Sequence, residues 1–453
     1  MAAPDYRPRL CRISGGRGRR LGRVSADAGN FKWRTVMLAA VAPTLVFSIG
    51  EGAIVPVIPL VATALGSGLA GAGLVASLLT IGALLGTLPG ARVVQRLGER
   101  RAMIGAAAVS AGGVLLAALA PNPALLAAGI LLIGLSAAVF GLARLSFMTL
   151  YVPLQYRARS LSTLGGSFRL GYFIGPFASA GVIALSHDPQ TAMWVHLAAC
   201  LATVAILLIV EDPEASYRSQ LRGRAVESAA VASPEAAASH APTGVIATMR
   251  SRRDVLARLG VGAMLVSALR ISRQVIVPLW AVSIGIPAAE TALIIGIAGA
   301  LDFALFYTGG QIMDRYGRLW TAVPSMLGLA AGHLALALSH DLPSAQAWFI
   351  TAAMVLAVAN SLGSGLIMTL GADLARGRHP ASFLSVWRFT AESGGALAPV
   401  LISAITVVAS LSWAAAAMGA LGVMGAGILM RYLPRFVPKT HRSTPPPSGD
   451  VGD

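Results

Sequence analysis

Eight ionisable side chains lie inside long apolar stretches of the sequence, where charge is rare. They are Glu51, Arg144, Arg169, Arg270, Arg273, Asp302, Arg388 and Glu392. The insertion of each unpaired charge into a lipid bilayer would cost about 2.5–3.5 kcal/mol of free energy, on the order of 20 kcal/mol for all eight. They must therefore pair with one another or line a wet cavity, where such groups can bind a charged molecule or carry a proton. No nucleophile–base set, metal-ligand spacing or nucleotide-binding motif accompanies them, so we expect no enzymatic activity, no cofactor and no metal site.

The apolar stretches themselves predict membrane-spanning helices. The 453 residues are 56% hydrophobic and 12% charged, whereas a soluble protein carries about 25% charged residues. Spans of about 20 apolar residues are predicted at 35–62, 70–92, 102–120, 124–151, 160–185, 191–210, 256–282, 289–311, 320–338, 346–371, 381–404 and 411–431. We therefore expect an all-α membrane protein with twelve transmembrane helices in two pseudo-symmetric six-helix bundles.

The placement of the basic residues predicts the orientation of the chain. The net charge is +16, and with the arginine-rich amino terminus inside, alternate loops are cytoplasmic. Of the 35 lysines and arginines, five lie within spans, and the other 30 lie in tails, cytoplasmic loops or cytoplasmic helix ends. This distribution follows the positive-inside rule. We expect a multi-pass plasma-membrane protein with both termini cytoplasmic, embedded as a monomer in the bilayer, and no nucleic-acid partner.

Changes in composition divide the chain into five parts. Residues 1–33 form a basic cytoplasmic tail that we expect to be disordered, and residues 34–211 form the first bundle. Residues 212–253 are polar and rich in alanine and serine, which is typical of a linker. Residues 254–434 form the second bundle, and residues 435–453 form a cytoplasmic tail.

A spacing of 219 residues relates the two bundles. It pairs Gly98 with Gly317, Arg96 with Arg315, Pro59 with Pro278 and Arg169 with Arg388. Because one spacing relates identical residues at four positions, the second half of the chain is interpreted as a duplicate of the first. The same spacing pairs Glu51 with Arg270, two opposite charges in matched spans.

The charged hinge between the eighth and ninth predicted spans carries a family resemblance. Its residues Gly310-x-x-x-Asp314-Arg315-x-Gly317-Arg318 resemble the signature of major facilitator superfamily transporters. Gly310 and Gly317 suit a backbone that bends tightly and packs closely. The resemblance implies a cytoplasmic gate in which Asp314 holds the two halves together when the cavity opens outward. A turn that serves only membrane topology is the alternative.

The first half carries a degraded copy of this hinge. Arg96 and Gly98 are kept, but Gln95 stands where the second half has an aspartate. Because Gln95 cannot carry the charge, we expect the gate in the second half to dominate.

A second motif resembles a branch of the same family. The fifth predicted span contains Gly171-x-x-x-Gly175-Pro176, which is similar to the antiporter signature of the drug/proton exchange branch, although Ser179 and Ala180 replace its closing glycines. This resemblance implies efflux in exchange for protons.

The resemblance also implies where the charges within the spans lie. It places the first and seventh spans face to face across a central cavity, so Glu51 and Arg270 are candidates for a substrate or proton site. Arg144 and Arg273 are further candidates in cavity-lining spans. The alternative for these residues is a structural ion pair that ties the halves together.

The other four charges are predicted to pair. Asp302 lies twelve residues before Asp314, about 18 Å along a helix, and Arg169 lies at a similar depth. Since the resemblance brings spans 5 and 8 together, an Arg169–Asp302 pair that breaks as the halves move is predicted, with a fixed pair within one half as the alternative. Arg388 and Glu392 are four residues apart and share one helix face, which favours mutual neutralisation over proton handling by Glu392.

These features predict a secondary transporter of a small organic molecule that works by alternating access, with proton-coupled efflux as the preferred interpretation. Five arginines against three acids within the spans favour an anionic substrate. Proton-coupled uptake of a sugar or organic acid is the first alternative. A receptor or assembly factor that does not transport is the second.

Overall fold

The computed structural model describes residues 37–152, 154–210, 249–375 and 380–436. The predicted tail 1–33 lies outside the described residues, as do nearly all of the predicted linker 212–253 and of the predicted tail 435–453.

The described chain is built from helices, and twelve of its helical segments are long and apolar enough to cross a membrane. The helices are α1 (Ala42–Ile54 and Ile58–Ala64), α2 (Leu69–Leu97), α3 (Glu99–Ala118), α4 (Pro123–Tyr151), α5 (Leu154–Ser186), α6 (Met193–Ile209), α7 (Val261–Ser283), α8 (Ala288–Tyr316), α9 (Leu319–Ser339), α10 (Ala345–Leu362 and Leu366–Leu374), α11 (Pro380–Val408) and α12 (Leu411–Phe436). The predicted all-α membrane class is confirmed.

The backbone repeats itself in the two halves. Helices α2 and α8 both contain 29 residues, and they begin and end 219 positions apart. The turns that flank them repeat as well: Gly66 and Gly285 have φ of +95° and +76°, and Gly98 and Gly317 have φ of +84° and +97°. Such angles are strained for any residue with a Cβ. The duplicated glycines therefore mark equivalent turns.

The spacing of 219 does not hold through the later helices. Helices α4 and α10 begin at Pro123 and Ala345, which are 222 positions apart, and α5 and α11 end at Ser186 and Val408, again 222 apart. The second half gains one residue in the turn before α9, one in α9 itself and one in the turn after it. The predicted pairing of Arg169 with Arg388 is therefore wrong as a structural equivalence.

Helix α10 is interrupted, whereas its counterpart α4 is continuous. The first segment of α10 ends at Leu362 and the second begins at Leu366, with Gly365 between them at φ +74°. Turn bonds bridge the interruption, from Ser364 N–H to Ser361 O at 3.0 Å and from Leu366 N–H to Gly363 O at 3.2 Å. Such irregular backbone is tolerated inside a membrane span where it faces protein or a wet cavity.

The halves meet mainly along two helix pairs, α2 with α11 and α5 with α8, and α7 also contacts α1 and α2. We call the end of the bundle with the turns at Gly98 and Gly317 the hinge end, and the end with the turns at Gly66 and Gly285 the opposite end. Near the opposite end, Gly73 of α2 packs against Ser403 of α11.

Candidate functional site

A cavity of about 570 Å³ lies between the two halves. Its walls come from α1, α2, α4 and α5 of the first half and from α7, α8 and α10 of the second. This volume lies in the range of small-molecule sites, about 300–1,000 Å³. Its charged lining residues are Arg169, Arg270, Arg273 and Asp302. A small molecule enclosed here would be held by both halves, mainly among positive charges.

Asp302 of α8 is the centre of a polar network. Its Oδ2 accepts hydrogen bonds from Arg273 Nη2 at 3.1 Å and from Asn360 Nδ2 at 2.8 Å. Its Oδ1 lies 3.8 Å from Nη1 of Arg169 in the other half. The structure thus brings together Arg169 and Asp302, as the sequence predicted. It also shows a pair within the second half, between Asp302 and Arg273.

Arg169 of α5 makes two polar contacts with the second half. Besides facing Asp302, its Nη2 donates to Ser364 Oγ at 2.8 Å. Ser364 lies in the interruption of α10, and the Arg169 guanidinium also lies 5.1 Å from the ring centre of Phe306. One side chain of the first half is therefore held by α8 and α10 of the second.

Arg270 of α7 has no acidic partner among the described residues. Its Nε donates to Asn360 Oδ1 at 3.0 Å. It forms no other hydrogen bond with the described residues, and its side chain lines the cavity. Its neighbouring charges include the cations Arg169 and Arg273 as well as Asp302. The two terminal amino groups of Arg270 therefore offer free donors in a positive part of the cavity.

Glu51 of α1 does not pair with Arg270. Its side chain is buried, with a relative exposure of 7%, and the cavity wall contains its neighbour Gly52. Its main electrostatic partner is Arg144 of α4, in the same half. The Arg144 guanidinium in turn lies 5.0 Å from the ring centre of Phe168. Among the described residues, the alternative of an ion pair between Glu51 and Arg270 is not found.

The glycines of the α5 motif set the position of Glu51. A Cβ at Gly171 would overlap Ser48 and Ile49 of α1. A Cβ at Gly175 would overlap the α1 backbone just beyond Glu51. Helices α1 and α5 therefore pack closely at the residues that precede and follow Glu51 in the sequence. Pro176 of the same motif lines the cavity.

Aromatic rings form one wall of the cavity. Phe168, Tyr172 and Phe173 of α5 and Phe303 of α8 line it. The rings of Phe173 and Phe303 stack across the boundary between the halves, 5.9 Å apart and 8° from parallel. The rings of Phe168 and Tyr172 are 4.7 Å apart. We call these four residues the aromatic wall.

Three charged signature residues at the hinge end, Arg96, Asp314 and Arg315, are exposed in this structure. Asp314 forms no ion pair with any described residue. The guanidinium of Arg315 lies over the ring of its neighbour Tyr316. Arg318 Nε binds Asp373 Oδ2 at 2.9 Å, within the same half. The gate predicted for Asp314 stays a prediction, because Asp314 forms no contact across the halves with any residue that the structure describes.

One expectation about this hinge is wrong. Gly310 does not lie in the turn but inside α8, and a Cβ there would meet no atom within 4 Å. Its neighbour Gly309 makes the close approach instead, against the carbonyl oxygens of Ser361 and Leu362. The turn is made by Gly317, because a glycine there tolerates the positive φ.

Arg388 and Glu392 of α11 form the predicted pair on one helix face. Arg388 Nε lies 2.6 Å from Glu392 Oε1, and the two side chains are 62% and 39% exposed. Neither residue lines the cavity.

Sequence reasoning missed Asn360 and Ser364, the two residues of α10 that hold Arg270, Asp302 and Arg169. A signal was present in the run Asn360-Ser361-Leu362-Gly363-Ser364-Gly365, which places polar residues and glycines in the middle of an apolar span. Glycine-interrupted spans often mark binding sites in transporters.

Two helical halves around a charged cavity define a membrane transporter architecture. The profile of the Major Facilitator Superfamily matches residues 42–306 and 259–451. The chain belongs to the Major Facilitator Superfamily, and it is a transporter rather than an enzyme.

Solved structures share this fold at low sequence identity. A mutant of the peptide transporter POT in complex with alafosfalin is 15% identical with a TM-score of 0.65, covering 90% of this chain and 96% of the other. The xylose transporter XylE from E. coli is 14% identical with a TM-score of 0.65, covering 88% and 99%. A D-xylose-proton symporter is 16% identical with a TM-score of 0.67, covering 89% and 98%. No curated protein sequence matches significantly.

Proposed function

We propose that this protein exports a small organic anion across the plasma membrane in exchange for protons. The two halves alternate around the cavity, as in other secondary transporters built from repeats. The hinge end and both termini face the cytoplasm in this proposal, and one chain is sufficient because both walls of the cavity belong to it.

The guanidinium of Arg270, which has no acidic partner among the described residues, is the observation that supports an anionic substrate. Asp302 lies close to both Arg273 and Arg169, whereas the described residues offer Arg270 only the amide oxygen of Asn360. A guanidinium presents parallel N–H donors that match a carboxylate or a phosphate in a two-point contact. An anionic substrate would supply the acceptors that the protein does not.

Glu51 is our candidate for the proton carrier. It is buried, accepts no hydrogen bond from a described residue, and lies within the electrostatic reach of Arg144. A proton on Glu51 would leave Arg144 without its counter-charge, which would change the balance of charge beside the cavity. Gly171 and Gly175 fix α5 against this part of α1, so a change there can reach the α5–α8 contact. Their resemblance to the antiporter signature supports efflux.

Transport by purified protein in liposomes tests the proposal. A pH gradient is imposed, and the probes are phenylphosphonate as an anion, benzyltrimethylammonium as a cation and xylose as a neutral sugar. We expect gradient-dependent movement of the anion alone, and a loss of at least tenfold in Arg270→Gln. Arg431→Gln is the matched control, since Arg431 is exposed on α12 and away from the cavity.

The other outcomes separate the alternatives. Transport of the cation without competition from the anion would refute the anion proposal. Anion movement down the proton gradient, in the same direction as the protons, would replace efflux by uptake. Absence of transport for every probe would favour a receptor on the same scaffold.

A further inference from the structure

We infer that the substrate carries an aromatic ring next to its anionic group and no free ammonium group. This inference rests on the proposed anion transport and specifies the rest of the molecule from the walls of the same cavity.

The aromatic wall supplies the surface for a ring. Phe168, Tyr172, Phe173 and Phe303 are all half-buried, so part of each ring is open to the cavity that they line. Phe173 and Phe303 already stack at 5.9 Å, and a third ring can extend such a stack. Aromatic pairs in this geometry are worth more than the apolar area that they bury. A planar ring would therefore gain more here than a saturated ring of the same size.

The cavity walls disfavour a sugar. Of the 29 residues that line the cavity, nine have side chains with a charge or a hydrogen-bonding group, and the remaining twenty do not. Two of those nine, Asn360 and Asp302, already bond to arginines or to each other. A sugar has a hydroxyl group on almost every carbon, and each buried hydroxyl without a partner is unfavourable. An apolar ring with one charged group suits these walls better.

The acidic residues disfavour an ammonium group. Asp302 is the one carboxylate among the described lining residues, and its Oδ2 is bonded to Arg273 and Asn360. Its Oδ1 is buried and faces Arg169. Glu51 is buried beside Arg144, outside the cavity wall. Because Oδ1 of Asp302 accepts no hydrogen bond but is buried, an amine on the substrate would meet three arginines before it could reach this carboxylate, so zwitterionic amino acids and peptides are poor candidates.

The positions of Arg270 and of the aromatic wall also predict how the substrate is oriented in the cavity. Arg270 lies on α7, whereas three rings of the aromatic wall lie on α5 and one on α8. The anionic group would be held by the second half while the ring would lie mainly against the first. Both halves would then need to close on one molecule, which links substrate shape to alternating access.

Binding of a matched pair of probes to the full-length protein in detergent tests the inference. Phenylphosphonate and cyclohexylphosphonate share one anionic group and differ in the aromaticity of the ring. By calorimetry, we expect phenylphosphonate to bind about three- to tenfold more tightly, the range given by aromatic stacking. Phenylalanine differs from 3-phenylpropanoate only by its ammonium group, and we expect it to bind at least tenfold more weakly than 3-phenylpropanoate.

Two variants of α5 complete the test. Phe173→Leu removes a ring of the aromatic wall and should abolish the preference for phenylphosphonate while leaving cyclohexylphosphonate within about twofold. Phe177→Leu is the matched control: Phe177 packs on Gly296 at the same α5–α8 contact but does not line the cavity. That variant should keep the preference.

Each outcome bears on one of the two proposals. Equal binding of the two phosphonates overturns the aromatic inference and leaves anion transport standing. Strong binding of phenylalanine overturns the exclusion of an ammonium group. Binding of benzyltrimethylammonium with no binding of either phosphonate overturns the proposed function itself, and failure of phenylphosphonate to bind at all counts against the inference.

Discussion

The two halves of this transporter keep the same backbone and use it differently. Helices α2 and α8 have the same length and end in glycine turns of the same geometry. After those turns, however, Glu99 of the first half is buried and accepts a hydrogen bond from Ser146, whereas Arg318 of the second half binds Asp373. The duplicated turn is thus supported by side chains of opposite charge.

The two halves also differ beside the cavity, in their charged residues and in the continuity of one helix. In the first half, Glu51 and Arg144 lie beside the cavity, and α4 is continuous. In the second half, an interrupted α10 places Asn360 between Arg270 and Asp302, both of which line the cavity. Under the proposed function, this difference amounts to a division of labour in which the first half would carry the proton and the second half would hold the anionic group of the substrate.

The largest expected effect is on the network of the second half. Asp302→Asn leaves Arg273 and Arg169 without their carboxylate. The side chains of Asp302, Arg273 and Arg169 are 14%, 19% and 21% exposed. We therefore expect the free energy of unfolding to fall by about 2–3 kcal/mol, less than the 3–5 kcal/mol for breaking a fully buried pair. Unfolding of the purified protein by SDS in mixed micelles measures this loss.

Glu392→Gln is the control for that experiment. Its pair with Arg388 is 62% and 39% exposed, and we expect a change below about 0.5 kcal/mol. Equal losses in the two variants would show that Asp302 is not the centre of the network.

In the first half, we expect a substitution at Glu51 to change the coupling of transport to protons rather than the stability of the fold. Glu51→Gln keeps the shape of the side chain but cannot release a proton. We expect transport driven by a pH gradient to fall at least tenfold, or about 1.4 kcal/mol, while exchange of phenylphosphonate across the membrane without a gradient stays within about twofold. Glu290→Gln, at the exposed start of α8, is the control. A parallel loss of both activities would refute the division of labour.

The shared backbone can be tested at the two glycine turns. Gly98→Ala and Gly317→Ala both place a Cβ on a residue with positive φ, so each should lose about 1 kcal/mol, at the lower end of the usual strain. Gly310→Ala lies in a regular helix with open space around it and should instead be neutral or stabilising. Stability in mixed micelles is again the measurement, and unequal losses at the two turns would mean that the turns are not equivalent.

The smallest effect is expected at the hinge end. Asp314→Asn should slow transport by about two- to fivefold, because surface ion pairs and helix dipoles contribute modestly. Gln95→Ala, at the matching position of the first half, should have no measurable effect on the rate. Equal effects on the transport rate would contradict a dominant gate in the second half.

Much of this architecture could be predicted from the sequence because charge in an apolar span is conspicuous. Such charges are unfavourable without partners, and the contacts Arg169–Asp302 and Arg388–Glu392 follow from that requirement. Neutral polar residues carry a much smaller penalty, so Asn360 did not stand out, although it binds two of the charged groups.

The false equivalence of Arg169 and Arg388 has a different cause. A fixed spacing cannot reveal three single insertions distributed over a turn, a helix and the next turn. The partner of Glu51 was also missed, because the position of Arg144 depends on how α4 packs beside α1 and not on any spacing along the chain.

Arg169 has a consequence for how the transport rate can evolve. Two polar contacts between the halves, to Asp302 and to Ser364, involve this one side chain, while binding of the anionic group is assigned to Arg270. If the halves rock about the cavity as proposed, substitution at Arg169 changes the free-energy difference between the two states and, because Arg169 also lines the cavity, the affinity for the substrate. Turnover and affinity are then coupled traits, because one position affects both.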